Sequence, residues 1–219
     1  MKRTAILLAT SLGMAGNCLA QRSSARTDFY AANPAHQARS WVGLKTSLVL
    51  RTDGGQNGCQ FREVAEDFQF RQGDHFRVRL QSNASAYLYV VARDGQGSFR
   101  LLYPSGSGAD ATSQVGRFET RMIPERDWFA FDANAGQERM YIFMNAKPMK
   151  EFERLLANPS KPVKSGELQK LVDRADESAA GVAEESGPDG DVGATYSVSE
   201  VNWKSDPVLR RFRFQNYGR

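Results

Sequence analysis

The chain has 219 residues and a formal net charge of +4, from 29 Lys and Arg residues against 25 Asp and Glu residues. This length fits one sizeable domain, or one domain with an appendage. The charge is too small to indicate non-specific nucleic-acid binding, so no nucleic-acid partner is expected.

The first 20 residues are typical of a secretory signal peptide. Lys2 and Arg3 precede an apolar run from Thr4 to Ala15, and small residues around Ala20 suit cleavage after that position. The apolar run is shorter than the roughly 20 residues that a membrane-spanning helix needs. We therefore expect an exported protein, periplasmic or extracellular, and cleavage would lower the net charge from +4 to +2 by removing two basic residues.

The two cysteines have different expected fates. Lipidation of Cys18 is the alternative to ordinary cleavage and the one route to membrane association, although the preceding Asn17 is bulky for such a signal. Cleavage would leave Cys59 as the single cysteine, which excludes an internal disulfide. We expect Cys59 to be buried, with an exposed thiol as the alternative.

Residues 21–40 read as a polar tether that could hold a short helical turn, and residues 41–147 as a β-sandwich domain. Phe76, Val78 and Leu80 alternate with polar residues, which is typical of a strand with one solvated face. The run 87–91 is apolar on both faces and predicts a central strand. Together with 99–103, these runs predict a β-meander. Further strands are expected at 45–51, 118–123, 128–131 and 140–144, and their recurrence without helices indicates a mainly antiparallel β-sandwich, immunoglobulin-like or similar.

The pattern changes after residue 147. Apolar residues at helical spacing predict a helical hairpin over 148–175 that lies against the sheet, with Ser165 as an N-cap. Residues 176–194 are rich in acidic residues, glycine and proline, and predict a flexible acidic linker. Residues 195–219 contain two further strands that complete the sheet.

The sequence offers few residues for catalysis. The two histidines are His36 and His75, and with Cys59 they are too few for a His/Cys zinc site. A hydrolase is a further alternative, because carboxylates that are separate in the sequence can come together in the fold, for example Asp127 with Asp110 and Asp132. We assign no catalytic, cofactor-binding or metal-binding residue and expect a protein that is not an enzyme.

Two groups of residues are candidates for binding. The first is a set of strand arginines that could recognise acidic groups: Arg77, Arg79, Arg100, Arg211 and Arg213. The second is Trp128 with its aromatic neighbours, which could line a groove. For the arginines, the alternative is an ordinary solvated sheet face that is kept charged. For Trp128 and its neighbours, the alternative is ordinary core packing.

Three motifs follow one another in the central part of the chain: Gly73-Asp74 leading into a strand, the strand Ala86 to Val90, and Leu101-Leu102-Tyr103-Pro104. Through these motifs, residues 68–148 resemble a bacterial family of domains of unknown function, number 4384. The resemblance implies a β-rich accessory module of envelope proteins and carries over no catalytic residue. Ser105 departs from the family pattern, which often has Asn there.

These observations favour an exported, non-catalytic interaction or accessory module of the bacterial cell envelope. It would bind an envelope protein partner through a sheet face or edge. An envelope glycan-binding or polymer-binding domain is the main alternative, and a hydrolase with spatially assembled carboxylates is the lesser one.

Overall fold

The computed structural model describes residues 25–31, 40–53, 58–94, 97–105, 112–130, 136–157, 164–178, 183–186, 194–201 and 207–216. The predicted signal peptide (1–20), Cys18, His36, Asp110 and Asp132 lie outside these residues. The strands are β1 (Ser40–Asp53), β2 (Cys59–Val64), β3 (His75–Ser82), β4 (Ala86–Arg93), β5 (Phe99–Tyr103), β6 (Gln114–Val115), β7 (Thr120–Ile123), β8 (Phe129–Ala130), β9 (Gly136–Asn145), β10 (Ala183–Ser186), β11 (Ala194–Val201) and β12 (Val208–Asn216). The helices are α1 (Ala25–Ala31), α2 (Lys150–Glu153), which continues into a 3-10 turn (Arg154–Ala157), and α3 (Gly166–Ser178).

The strands form two antiparallel sheets. Sheet 1 has the order β10-β11-β1-β3-β7, with β2 also paired to β1 and β8 to β3. Sheet 2 has the order β12-β9-β4-β5, with β6 also paired to β4. The predicted antiparallel β-sandwich is confirmed.

The main core lies between the two sheets, and the period of two explains its composition. In β3, Phe76, Val78 and Leu80 are buried in this core while the residues between them face the other way. Leu88 and Val90 of β4 meet them from sheet 2. Alternation along each strand therefore separates one core face from one outer face.

The predicted β-meander is wrong. Strand β3 pairs with β1 and β7 in sheet 1, whereas β4 pairs with β9 and β5 in sheet 2. The chain crosses between sheets at residues 83–85, where Asn83 is fully buried and its side chain accepts a hydrogen bond from the backbone of Gly43 at 2.9 Å. This contact comes from a residue 40 positions away, which local sequence does not reveal. The β4–β5 part is a hairpin as predicted.

Sheet 2 is buried on its outer face as well. Tyr89 and Phe143 on that face pack with Phe152 of α2, and with Leu168 and Val172 of α3, in a second apolar cluster. The predicted packing of helices against the sheet is therefore present. The predicted N-cap is also present, because the Ser165 hydroxyl accepts a hydrogen bond from the backbone N–H of Leu168 at 3.2 Å.

A polar network fastens α2 to sheet 2. The Tyr89 hydroxyl donates to the Glu153 carboxylate and accepts a hydrogen bond from the backbone N–H of Met149 at 3.1 Å. The Ser113 Oγ atom lies 3.3 Å from the same hydroxyl. Burial, with a smaller contribution from the hydrogen bond to Glu153, raises the pKa of Tyr89 to about 12.

This pKa predicts a loss of stability at alkaline pH. Because the folded state holds the Tyr89 proton more tightly than the unfolded chain does, this contribution is complete below pH 10 and decreases as the pH rises from 10 towards 12. We expect a decrease of about 2 to 3 kcal/mol in the free energy of unfolding. Urea unfolding between pH 8 and 11.5 measures it. Tyr89→Phe should weaken this pH dependence, and an unchanged profile in that variant would contradict the assignment.

Helix α1 covers one end of the outer face of sheet 1. Phe29 is fully buried against Tyr196 and Val198 of β11, with the Phe29 and Tyr196 ring centroids 5.6 Å apart. The Phe29 carbonyl also accepts a hydrogen bond from the Asn83 amide at 3.1 Å. The helix is thus tied to the crossing between the sheets.

Two segments predicted to be largely irregular contain regular structure. The range 21–40, predicted as a tether that could hold a short helical turn, includes the seven-residue helix α1, because Phe29 packs on an apolar surface of β11. The range 176–194, predicted as a flexible linker, includes the end of α3 and β10. Strand β10 forms because its backbone pairs with β11 over four residues, which acidic composition does not indicate. The remaining residues of both ranges lie largely outside the described part of the chain.

Candidate functional site

The outer face of sheet 1 is covered at one end by α1 and carries an aromatic cluster at the other. Strand pairing places Phe61 of β2 opposite Arg51 of β1, and Arg51 opposite His75 of β3. Arg77 follows on the same face of β3, opposite Val49. Because directly opposite residues share a face, these side chains form one surface at the end of the sheet away from α1.

Trp128 lies on this surface and contacts side chains from three strands. Its ring stacks on Phe61 with centroids 5.3 Å apart and an interplanar angle of 7°. The guanidinium of Arg77 lies 4.4 Å from the Trp128 ring centroid, and that of Arg51 lies 5.8 Å away. Both distances are within cation–π range. We call these four residues, Arg51, Phe61, Arg77 and Trp128, the Phe61–Trp128 platform.

Arg77 fixes the position of Trp128. Its Nε and Nη2 atoms donate hydrogen bonds of 2.7 Å to the backbone carbonyls of Asp127 and Arg126, respectively. The bend before Trp128 is therefore held against β3 by the same side chain that stacks on the ring. This arrangement gives Arg77 a positioning role within the platform.

Phe61 is the most exposed part of the platform. It is 60% exposed, whereas Trp128 and Arg77 are half-buried. The four residues Cys59 to Arg62 are all exposed, and among the described residues β2 pairs with β1 alone. The platform therefore lies beside a strand edge that is open in the described part of the fold.

The structure does not bring the five predicted arginines together. Arg79 lies on the platform face and forms an ion pair with Glu63. Arg100 is exposed on β5 of sheet 2 and lies opposite Ala92. Arg211 and Arg213 lie on the outer face of sheet 2, on β12, on the opposite side of the sandwich. The five arginines therefore do not form a single surface. The alternation of polar and apolar residues predicts the face of a strand on which a side chain lies, but it does not predict which sheet that strand joins.

The expected burial of Cys59 is wrong. Cys59 is exposed at the start of β2, on the same face as Phe61. The physical reason is that, among the described strands, this end of β2 has β1 as its neighbour on one edge and none on the other, so its side chains stay exposed. Phe61 itself was not predicted as a binding residue. The signal that could have identified it is the alternation of Cys59, Phe61 and Glu63 in a short strand after a glycine-rich loop.

The predicted aromatic group around Trp128 divides between two faces. Phe129 lies opposite Phe76 and packs against the main core, while Trp128 lies on the outer surface. Phe131 lies outside the described residues. Core packing, the alternative to a groove, therefore accounts for Phe129 but not for Trp128.

Candidate catalytic groups are sparse in the part of the chain that the structure describes. His75 begins β3, and Asp127 is exposed in the bend before Trp128. Within the described ranges, no three His, Cys, Asp or Glu side chains lie close enough to hold a metal ion. No helix in those ranges is both long and apolar enough to cross a membrane.

Comparison with known proteins gives one match. Residues 69–148 match the model of a family described as Domain of unknown function (DUF4384), which confirms the resemblance predicted from the sequence. The matched segment is less than half of the 219-residue chain and extends from before β3 to beyond β9. It includes Arg77 and Trp128 but neither Arg51 nor Phe61. No curated protein and no solved structure matches the chain.

Proposed function

We propose that this protein is an exported, non-catalytic interaction module of the bacterial cell envelope. Export is supported by the basic, apolar and small-residue pattern of residues 1–20. Binding is supported by one observation above all, the exposed Phe61 ring stacked on a Trp128 ring that Arg77 holds in place. The partner is a protein that engages the Phe61–Trp128 platform.

The composition of the platform supports a protein partner. Aromatic residues and arginine are enriched at protein interfaces, where a few of them contribute most of the binding energy. Phe61 and Trp128 are already ordered by mutual stacking, so little side-chain entropy would be lost when a partner covers them. Arg51 and Arg77 add positive charge, which favours a partner segment that carries both apolar and acidic residues.

The edge of β2 supplies the second part of the interaction. Its backbone groups beyond β1 can pair with an extended segment of a partner by strand addition. The side chains of such a segment would alternate between the two faces of the sheet, and every second one would lie beside Phe61. Pairing of the two backbones would provide affinity, and the Phe61–Trp128 platform would determine which partner side chains are accepted beside it.

Replacing Phe61 by serine is expected to lower partner binding by tenfold or more, because burying an aromatic side chain contributes about 1.5 to 3 kcal/mol. The measurement is crosslinking from a photoreactive residue at Gln60, an exposed neighbour on β2, in the envelope of the native host. Tyr30→Ser is the matched control, because Tyr30 is, among the described residues, the other large apolar side chain with high exposure, at 48%. Equal crosslinking of one dominant protein in Phe61→Ser and in the parent chain would contradict the proposal.

An envelope glycan is the second candidate, and the stacked Trp128 ring favours it. Sugars present apolar faces that pack on flat aromatic rings. Titration with cell-wall fragments should then quench tryptophan emission in the parent protein, and Trp128→Phe should remove that change. A flat titration would exclude the glycan alternative.

A further inference from the structure

The outer face of sheet 2 carries a row of three arginines. Arg93 of β4 lies directly opposite Arg139 of β9, and Arg139 lies directly opposite Arg213 of β12. Neighbouring strands are about 4.8 Å apart, so the three residues start from backbone positions within about 10 Å. We call Arg93, Arg139 and Arg213 the arginine row.

The arginine row lies just beyond the helical cover. Val91 and Tyr141 are the neighbours of Arg93 and Arg139 on the same face of β4 and β9, and both are buried in the cluster beneath the helices. Arg213 is exposed, and Arg93 and Arg139 are half-buried. Arg211, the preceding residue on this face of β12, is half-buried opposite Tyr141.

Within the row, each arginine has another arginine directly opposite it on the neighbouring strand. On β5, the residue directly opposite Arg93 is Phe99, whose ring centroid is 5.8 Å from the Arg93 guanidinium carbon. Like charges directly opposite each other in a sheet are unfavourable. Such an arrangement raises the local positive potential at one place on the surface.

We infer that the arginine row is a binding site for phosphate groups. A phosphate carries three strong acceptor oxygens and close to two negative charges, so it can accept hydrogen bonds from more than one guanidinium at once. A carboxylate is satisfied by one bidentate arginine and matches a row of three less well. The site lies on the other side of the sandwich from the Phe61–Trp128 platform and is independent of it.

The test uses protein purified after expression of the full-length chain, with inorganic tripolyphosphate as the soluble probe. Calorimetric titration at low salt should detect binding that weakens as salt is added. Arg213→Gln, at the most exposed position of the row, should lower the affinity about tenfold, since one charge-assisted contact is lost. The triple variant Arg93→Gln, Arg139→Gln, Arg213→Gln should show no measurable binding. Arg100→Gln is the control, because Arg100 is an exposed strand arginine outside the row.

Two further arms identify the source and the chemistry of the ligand. Co-sedimentation with phosphatidylglycerol vesicles, compared with phosphatidylcholine vesicles, reports binding to lipid phosphate. The site is supported if binding to the vesicles or to tripolyphosphate depends on Arg213. Arg213-dependent binding to the vesicles would indicate a membrane head group, and binding to tripolyphosphate alone would indicate a soluble phosphate. Citrate tests chemical class, and affinity for citrate equal to that for tripolyphosphate would overturn the assignment to phosphate. Absence of binding to both phosphate probes, or equal loss in Arg100→Gln, would overturn the site.

Discussion

Replacing Phe152 by alanine is expected to reduce the free energy of unfolding by about 3 to 5 kcal/mol, the usual cost of removing a buried aromatic ring. Phe152 is 0% exposed, and its ring centroid lies 4.8 Å from those of both Tyr89 and Phe143. Helix α2 has only four residues, too few to be stable without tertiary packing. Loss of this ring would therefore loosen the helical cover together with the sheet face beneath it.

Equilibrium urea unfolding gives the size of this effect. Lys150→Ala is the matched control, since Lys150 is exposed on the same helix and its replacement should change stability by less than about 0.5 kcal/mol. Hydrogen exchange adds a local readout, because undocking of the helices should speed the exchange of amides in β4 and β9. Equal stability of the two variants would show that α2 contributes nothing to the cover of sheet 2.

Gly43→Ala is expected to reduce the free energy of unfolding by about 3 kcal/mol or more, at the upper end of the usual cost of overpacking. A Cβ atom at this position would lie 2.5 Å from the Ser197 carbonyl oxygen and 2.5 Å from Val198 Cγ1. The carbonyl belongs to the backbone of β11, which is paired with β1, so it cannot move away without disturbing the pairing. The Gly43 N–H also donates to Asn83, which links the strand to the crossing between the sheets.

Thermal unfolding of two alanine variants separates this clash from a general effect of losing glycine. Gly166→Ala is the control, because no atom lies within 4 Å of the added Cβ at the first residue of α3, and it should be neutral or slightly stabilising. Adding Val198→Ala to Gly43→Ala should not restore stability, since the contact with the Ser197 carbonyl remains. Full recovery in the double variant would show that side-chain crowding alone excludes alanine.

The sequence by itself determined the features that depend on local periodicity. The alternation from Phe76 to Leu80 predicted a strand with one buried face, and the continuous apolar run around Tyr89 predicted a strand buried on both faces; both are observed. Helical spacing around Phe152 and Leu168 predicted the cover of sheet 2, and Ser165 predicted its N-cap. A side chain's position within one turn or one strand follows from backbone geometry, so these predictions need no distant contact.

Only the tertiary structure decided which strands pair and which outer faces remain uncovered. The division of β3 and β4 between two sheets depends on Asn83 meeting Gly43 and Phe29, 40 and 54 residues away. The same division separates Arg77 from Arg213 and brings Arg213 beside Arg139 and Arg93. The exposure of Phe61 and Cys59 follows from the position of β2 at a sheet edge. The alternation along a strand predicts the side to which a residue points. Long-range packing decides which other residues share that side, and both proposed binding sites result from this packing.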